Sequence, residues 1–227
     1  MNEAYALANL PAYDRWAESY PPLAHNALMQ AEQAAMLELL PSPRGLIALD
    51  LACGTGRYVR LLRQRGAAWV VGSDLSSGML DHAGGFARLR ADMMKLPFRA
   101  ASFELVTAGL AVGHAPDLGA WLAGLARVMK PGAILVYSDF HPEAAQAGMT
   151  RTFVDSDQVL HVLKHRIHEL HQHQAAADSV GFEMEALVEV RPGEGHGRVF
   201  DAWPQVAARW PGVALVLAIR LRKRGLS

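Results

Sequence analysis

The sequence predicts an α/β protein built on a parallel sheet, and three observations carry that reading. Apolar runs of strand length alternate with amphipathic helical stretches through residues 44–138. Three of those runs end in an aspartate: Asp50, Asp74 and Asp92. The first is followed at once by a small-residue turn, Ala52-Cys-Gly-Thr-Gly56. Each crossover in such a repeat must return the chain to the same end of the sheet, so the strands run parallel with helices on both faces. Open sheets of this kind bind ligands at the carboxyl ends of their strands, where the three carboxylates fall.

Bulk composition narrows the partners. At 227 residues and 51% hydrophobic, the chain can bury one sizeable core. Lys plus Arg equals Asp plus Glu, 22 each, so no net field draws a polyanion and nucleic acid is not an expected partner. The one cysteine, Cys53, excludes an internal disulfide and fits a reducing compartment. With no basic segment and apolar core at the start, a cytoplasmic location is expected. The late apolar run 213–219 is far shorter than the ~20 residues that span a bilayer, so no membrane partner is expected. No internal repeat or low-complexity tract is present.

Taken in order, residues 1–40 read as two helices. Tyr13, Trp16 and Tyr20 recur at spacings of three and four on one face, and Pro21-Pro22 stops the first helix. The second helix, over 25–40, closes at Pro41-Ser-Pro43. The first strand ends near Asp50. Gly54 and Gly56 then allow a sharp turn and a close approach of a ligand to the backbone, beside the unpaired N–H groups of the next helix. That helix, 58–65, ends at Gly66. The second strand, 69–74, ends in Asp74, and Ser76 or Ser77 caps the following helix. A carboxylate in that place can accept both hydroxyls of a ribose. A third strand over 88–94 carries Asp92, the fourth covers 102–110, a helix covers 118–129, and Lys130-Pro-Gly132 turns into a fifth strand over 133–138. Residues 139–157 lack a pattern, and 159–167 fit strand or helix equally. A helix over 169–180, a strand over 182–190 and a last strand over 213–221 complete the chain. Residues 191–212 read as a loop of unassigned role.

A dinucleotide loop would continue Gly-x-Gly-x-x-Gly, but Val59 occupies the last position and an acid precedes the loop. The stretch 48–58 instead resembles motif I of the class I S-adenosylmethionine (SAM) dependent methyltransferases. Ala52 stands where the motif's first glycine falls, so the sequence gives no reason to expect a positive φ there. The segment 12–20 is similar to the Tyr-Asp-x-x-Ala-x-x-Tyr lid of many small-molecule methyltransferases. The loop Gly-Leu-Ala-Val-Gly-His114 resembles that of the malonyl carrier-protein O-methyltransferases, a group considered with the quinone-ring C-methyltransferases. Good motif order extends over residues 13–132.

The resemblance implies a Rossmann-like seven-stranded sheet of order 3-2-1-4-5-7-6 with strand 7 antiparallel. It divides the chain into an N-terminal helical lid (1–43) and a SAM-binding domain (44–227). It also implies SAM as donor, S-adenosylhomocysteine as product, and a cofactor site of Tyr20, Asp50, Ala52, Gly54, Gly56, Asp74, Leu75, Asp92, Met93 and Leu110. Within that site Asp74 would take the ribose, Asp92 the adenine amino group and Met93 the ring face. Tyr13, Trp16 and His25 would contact the acceptor.

Among ten histidines, His114 and His141 follow the fourth and fifth strands, where donor and acceptor should meet. Either can serve as general base or orient the acceptor, since imidazole titrates near neutral pH. His161, His165 and His168 would share a face if helical, but no acidic or Cys ligands accompany them, and no metal is expected. The strand-four loop lacks the Asn/Asp-Pro-Pro-aromatic motif of nucleic-acid amino methyltransferases. A small or carrier-bound acceptor, methylated on O, C or N by a monomer or homodimer, is the resulting expectation. The alternatives are a SAM-binding sensor without methyl transfer and a nucleic-acid methyltransferase.

Overall fold

The computed structural model describes residues 2–225, with side chains from residue 9 onward. Helices α1 (Asn2–Ala17) and α2 (Ala27–Leu39) precede an alternating core of β1 (Ile47–Leu51), α3 (Arg57–Gln64), β2 (Trp69–Asp74), α4 (Ser77–Asp81), β3 (Ala87–Arg90), β4 (Phe103–Ala108), α5 (Leu118–Val128) and β5 (Met129–Phe140). The chain then forms α6 (Pro142–Gln146), β6 (Thr152–Val154), β7 (Leu160–Val162), α7 (Leu170–Ser179), β8 (Phe182–Val190), α8 (Pro204–Arg209) and β9 (Val216–Lys223).

Seven strands form one sheet in the order β3-β2-β1-β4-β5-β9-β8. Strands β1 to β5 pair in parallel, and β9 runs antiparallel to both β5 and β8. This is the expected 3-2-1-4-5-7-6 sheet, with β6 and β7 set apart as a separate hairpin. The interior strands are buried on both faces. One apolar cluster packs α2 and α3 residues such as Met36 and Leu62 against Leu105 and Val136, and the other packs Trp121, Leu122 and Leu125 of α5 against Val106 and Leu135. Such a three-layer arrangement fixes the strand ends rigidly, so loops leaving them can be placed with precision.

Several boundaries differ from the sequence expectation. Helix α1 ends at Ala17, ahead of Pro21-Pro22, so Tyr20 lies in the connecting loop rather than on the helical face. Lys130-Pro-Gly132 does not interrupt the chain: it is a bulge inside β5, where the β4 register shifts and Gly132 takes φ 78°. Strand β3 stops at Arg90, which leaves Asp92 in the loop beyond it. Residues 159–167 hold only the short β7, so His161, His165 and His168 share no helix. The segment 191–212 folds into a 3₁₀ helix (Gly195–Ala202) and α8, with Phe200 buried among the residues of the α2 side.

Candidate active site

The loop after β1 is held by three side chains that the strands deliver. Asp50 is almost wholly buried; its Oδ1 accepts from Thr107 Oγ1 at 2.8 Å and its Oδ2 from the Val59 N–H at 3.2 Å. Burial pushes this carboxyl up to about 7, against the pull of Thr107, Arg57 and Val59. Asp74 Oδ2 accepts the Gly54 N–H and Oδ1 the Ser76 N–H, both at 2.8 Å, which pins the loop to the end of β2. Its carboxyl is also raised by burial. Ala52 takes φ 52°, a left-handed conformation that costs an L-residue about 1–2 kcal/mol. Gly56 takes φ 91°, and a Cβ there would lie 2.4 Å from the Phe86 ring.

Beneath this loop lies a buried polar cluster that the sequence reading missed. Arg57 Nη1 meets Glu32 Oε2 at 2.7 Å, while Tyr58 and Ser138 hydroxyls donate to Glu32 Oε1. Ser138 Oγ in turn accepts the Leu110 N–H at 2.8 Å, so α2, α3, β5 and the strand-four loop are joined through one carboxylate. The available signal was an acid, Glu32, at a buried position of an otherwise apolar helix face.

Above the loop a cavity opens at the carboxyl ends of β1, β2 and β4, where the strand order reverses between β1 and β4. Tyr13, Tyr20, Asp50, Ala52, Gly54, Asp74, Leu75, Asp92, Met93, Leu110 and His114 all border it. Four expected residues do not. Gly56 caps α3 behind the loop, and exposed His25 packs edge-on to Tyr20. Trp16 stacks on Phe153 of β6 at 4.5 Å, and Phe153 stacks on His161 at 4.7 Å. His141 is buried at the start of α6, its Nδ1 accepting the Glu143 N–H and its Nε2 facing Glu189 at 2.7 Å.

The cavity lies where open α/β sheets bind their ligands, and residues 49–137 match the methyltransferase domain family. The sheet order and the solved neighbours show the class I methyltransferase fold. Over 131 residues the chain is 34% identical to the malonyl-[acyl-carrier protein] O-methyltransferase of Yersinia pestis, covering 56% of this chain and 48% of that protein. It is 30% identical over 145 residues to the 2-phytyl-1,4-naphtoquinone methyltransferase of Thermosynechococcus vestitus, covering 60% and 63%. The chain therefore spans about half the length of the first relative and under two thirds of the second. A solved SAM-dependent methyltransferase from Mesorhizobium loti superposes with a TM-score of 0.71 at 26% identity, over 85% of this chain and 98% of that one.

The cavity offers SAM a fitting cradle. Asp74 keeps lone pairs free after its two backbone bonds, and Leu75 and Met79 line the adjoining wall. Asp92 Oδ1 accepts the Met94 N–H at 2.8 Å, and Met93 lies beside it. Arg57 borders the cavity with its charge already matched by Glu32. Cys53 also borders it, but burial raises its thiol well above the ordinary value, so it is no nucleophile.

Two features outside the cofactor reading complete the cavity. His114 Nε2 lies 2.7 Å from the Tyr13 hydroxyl and Nδ1 3.1 Å from Asn9 Nδ2. Burial, then Arg151 and His165, hold its imidazole far below the ordinary range, so the ring is neutral. Arg151 also borders the cavity; its Nη1 donates to the Leu110 carbonyl at 2.6 Å, and no carboxylate pairs with it among the described residues. The sequence reading passed over Asn9 and Arg151, since both come from segments far from the glycine loop. Among the described residues no helix is long and apolar enough to cross a membrane.

Proposed function

We propose that the protein transfers a methyl group from SAM to a small or carrier-bound acceptor. The observation that carries this reading is the Asp74–Gly54 lock at the point where the sheet order reverses, with a cavity that runs from the three aspartates to Tyr13 and His114. Asp74 would hold the ribose hydroxyls, Asp92 and Met93 the adenine, and Gly54 the close approach of the backbone to the amino-acid end. When bound, SAM supplies a sulfonium methyl that passes in line to a nucleophile as the C–S electron pair returns to sulfur. The chain's own task is to place that nucleophile and exclude water.

The N-terminal segment acts as the lid in this reading. Asp14 Oδ1 accepts from Ser76 Oγ at 2.5 Å and from the Gly78 N–H at 3.1 Å, which docks α1 on the start of α4 directly over Asp74. Its polar attachment suits a segment that opens for exchange. His114 orients the acceptor through Tyr13 rather than through a free lone pair. Support for an O-directed, carrier-bound or ring acceptor comes from the named relatives, a malonyl carrier-protein and a naphtoquinone methyltransferase.

Incubating the protein with methyl-labelled SAM and a metabolite extract, followed by mass spectrometry, tests the proposal. A labelled product that requires the protein, with S-adenosylhomocysteine formed in equal amount, is the expected result. SAM binding without any labelled product would contradict methyl transfer and support a sensor.

A further inference from the structure

Asn9 has a side chain whose orientation the backbone dictates. Its Oδ1 accepts the Lys164 N–H at 2.9 Å, so that atom must be oxygen, and its Nδ2 donates to the Lys164 carbonyl at 2.7 Å. The second Nδ2 hydrogen is left for His114 Nδ1 at 3.1 Å. A donor facing Nδ1 requires a lone pair there, because two N–H groups at that distance would repel. The Lys164 carbonyl also neighbours the His114 ring, and Asn9 Nδ2 already donates to that carbonyl at 2.7 Å.

A neutral imidazole with a lone pair on Nδ1 carries its proton on Nε2. That N–H donates to the Tyr13 oxygen at 2.7 Å. The Tyr13 hydroxyl then keeps its own proton for the cavity it borders, and burial holds the phenol protonated at neutral pH. His114 cannot take a proton from an acceptor in this arrangement, since one nitrogen is a donor and the other is already hydrogen-bonded. Arg151 borders the same cavity, a guanidinium with no carboxylate in ion-pair contact among the described residues, although its charge also acts on buried Asp139. Two donors, one of them cationic, and an imidazole with no lone pair free suit an acceptor group that is already ionised.

We propose that Asn9 is a positioning residue that fixes His114 as its Nε2–H tautomer, turning the Tyr13 hydroxyl toward the cavity, and that Tyr13 and Arg151 form a subsite for an acceptor carboxylate. The proposal rests on the methyl-transfer reading and names the acceptor class of the same site. A carboxylate needs no deprotonation at neutral pH, so a His114 that cannot act as base is consistent with transfer to its oxygen.

Nitrogen NMR of protein labelled in its histidine rings, assigned with His114→Gln, reads the tautomer directly. His114 should show a protonated Nε2 and bare Nδ1 unchanged from pH 6 to 8, and Asn9→Leu should populate both tautomers. A protonated Nδ1, or titration within that range, overturns the relay; should Asn9→Leu fail to fold, the unmodified protein alone decides. For the subsite, protein saturated with S-adenosylhomocysteine is titrated calorimetrically with benzoate and malonyl-pantetheine against benzamide and the malonyl methyl ester. At least one acid should bind about tenfold more tightly than its neutral counterpart, and that preference should vanish in Tyr13→Phe and in Arg151→Gln with S-adenosylhomocysteine affinity retained. No preference for either acid overturns the subsite, whereas failure of S-adenosylhomocysteine to bind at all overturns the methyl-transfer reading beneath it.

Discussion

Glu32 shows how much a single buried carboxylate can organise. It is fully buried, pairs with Arg57, and accepts from Tyr58 and Ser138. Removing one member of a buried pair leaves the other charge uncompensated, which costs about 3–5 kcal/mol. Glu32→Ala should therefore lose about that much in urea unfolding, while Glu32→Gln, which can still accept from both hydroxyls, should lose less. Equal stability in Glu32→Ala would show the cluster to be dispensable. At this same scale the sequence was legible where residue type dictates conformation and silent where it does not. Gly54 and Gly56 advertised a turn, and both have positive φ. Ala52 gave no such sign and still adopts φ 52°, because its neighbours are fixed by the end of β1 and by the Asp74 bond to Gly54.

Among the elements, the alternating core was readable because buried parallel strands are continuous apolar runs bounded by turn residues. The parts added to the core were not. The hairpin β6–β7 leaves Val154, Leu160 and Val162 exposed, so it carries no alternation that a pattern could detect. His165 and His168 suggested a helical face, yet the chain around them is neither helix nor strand, and their rings turn inward beside Gly113 and the Ala115 carbonyl. Helix α1 was expected, but its partners were not: Asn9 reaches Lys164, Asp14 reaches α4, and Trp16 stacks on β6. These contacts lie on the surface of a sheet that has its own two-sided core, so deletion of residues 1–22 should leave a cooperative unfolding transition. Water would then reach the cavity, and turnover should fall by a larger factor than the unfolding constant changes. Full turnover by the truncated protein would reduce α1 to packing.

For the molecule as a whole, stability should depend on pH through buried groups held neutral on both sides of neutrality. Burial lowers His173 to about 4 and His165 to about 3. Their folded values lie below the ordinary value of about 6.5, so their contribution is complete above it and is lost as pH falls toward 4 and then 3. Burial raises Asp50 and Asp139 to about 7, so theirs is complete below about 4 and is lost as pH rises toward 7. His173→Asn should accordingly lose less stability than the unmodified protein between pH 6.5 and 4.5 in chemical denaturation; parallel losses would place the acid sensitivity elsewhere. The order of the seven strands followed from a resemblance over 13–132, while the contacts that shape the acceptor end came from Asn9 and Arg151, which bracket that span. In the proposed reading, the fold presents Asp74 to SAM beside the point where the strand order reverses. Calorimetric titration of SAM into the unmodified protein and Asp74→Asn, each checked for an intact unfolding transition, tests this most directly. Loss of charge-assisted bonds to the ribose should weaken binding by about 2–4 kcal/mol, roughly 30- to 900-fold. Equal SAM affinity in the two folded proteins would contradict the account.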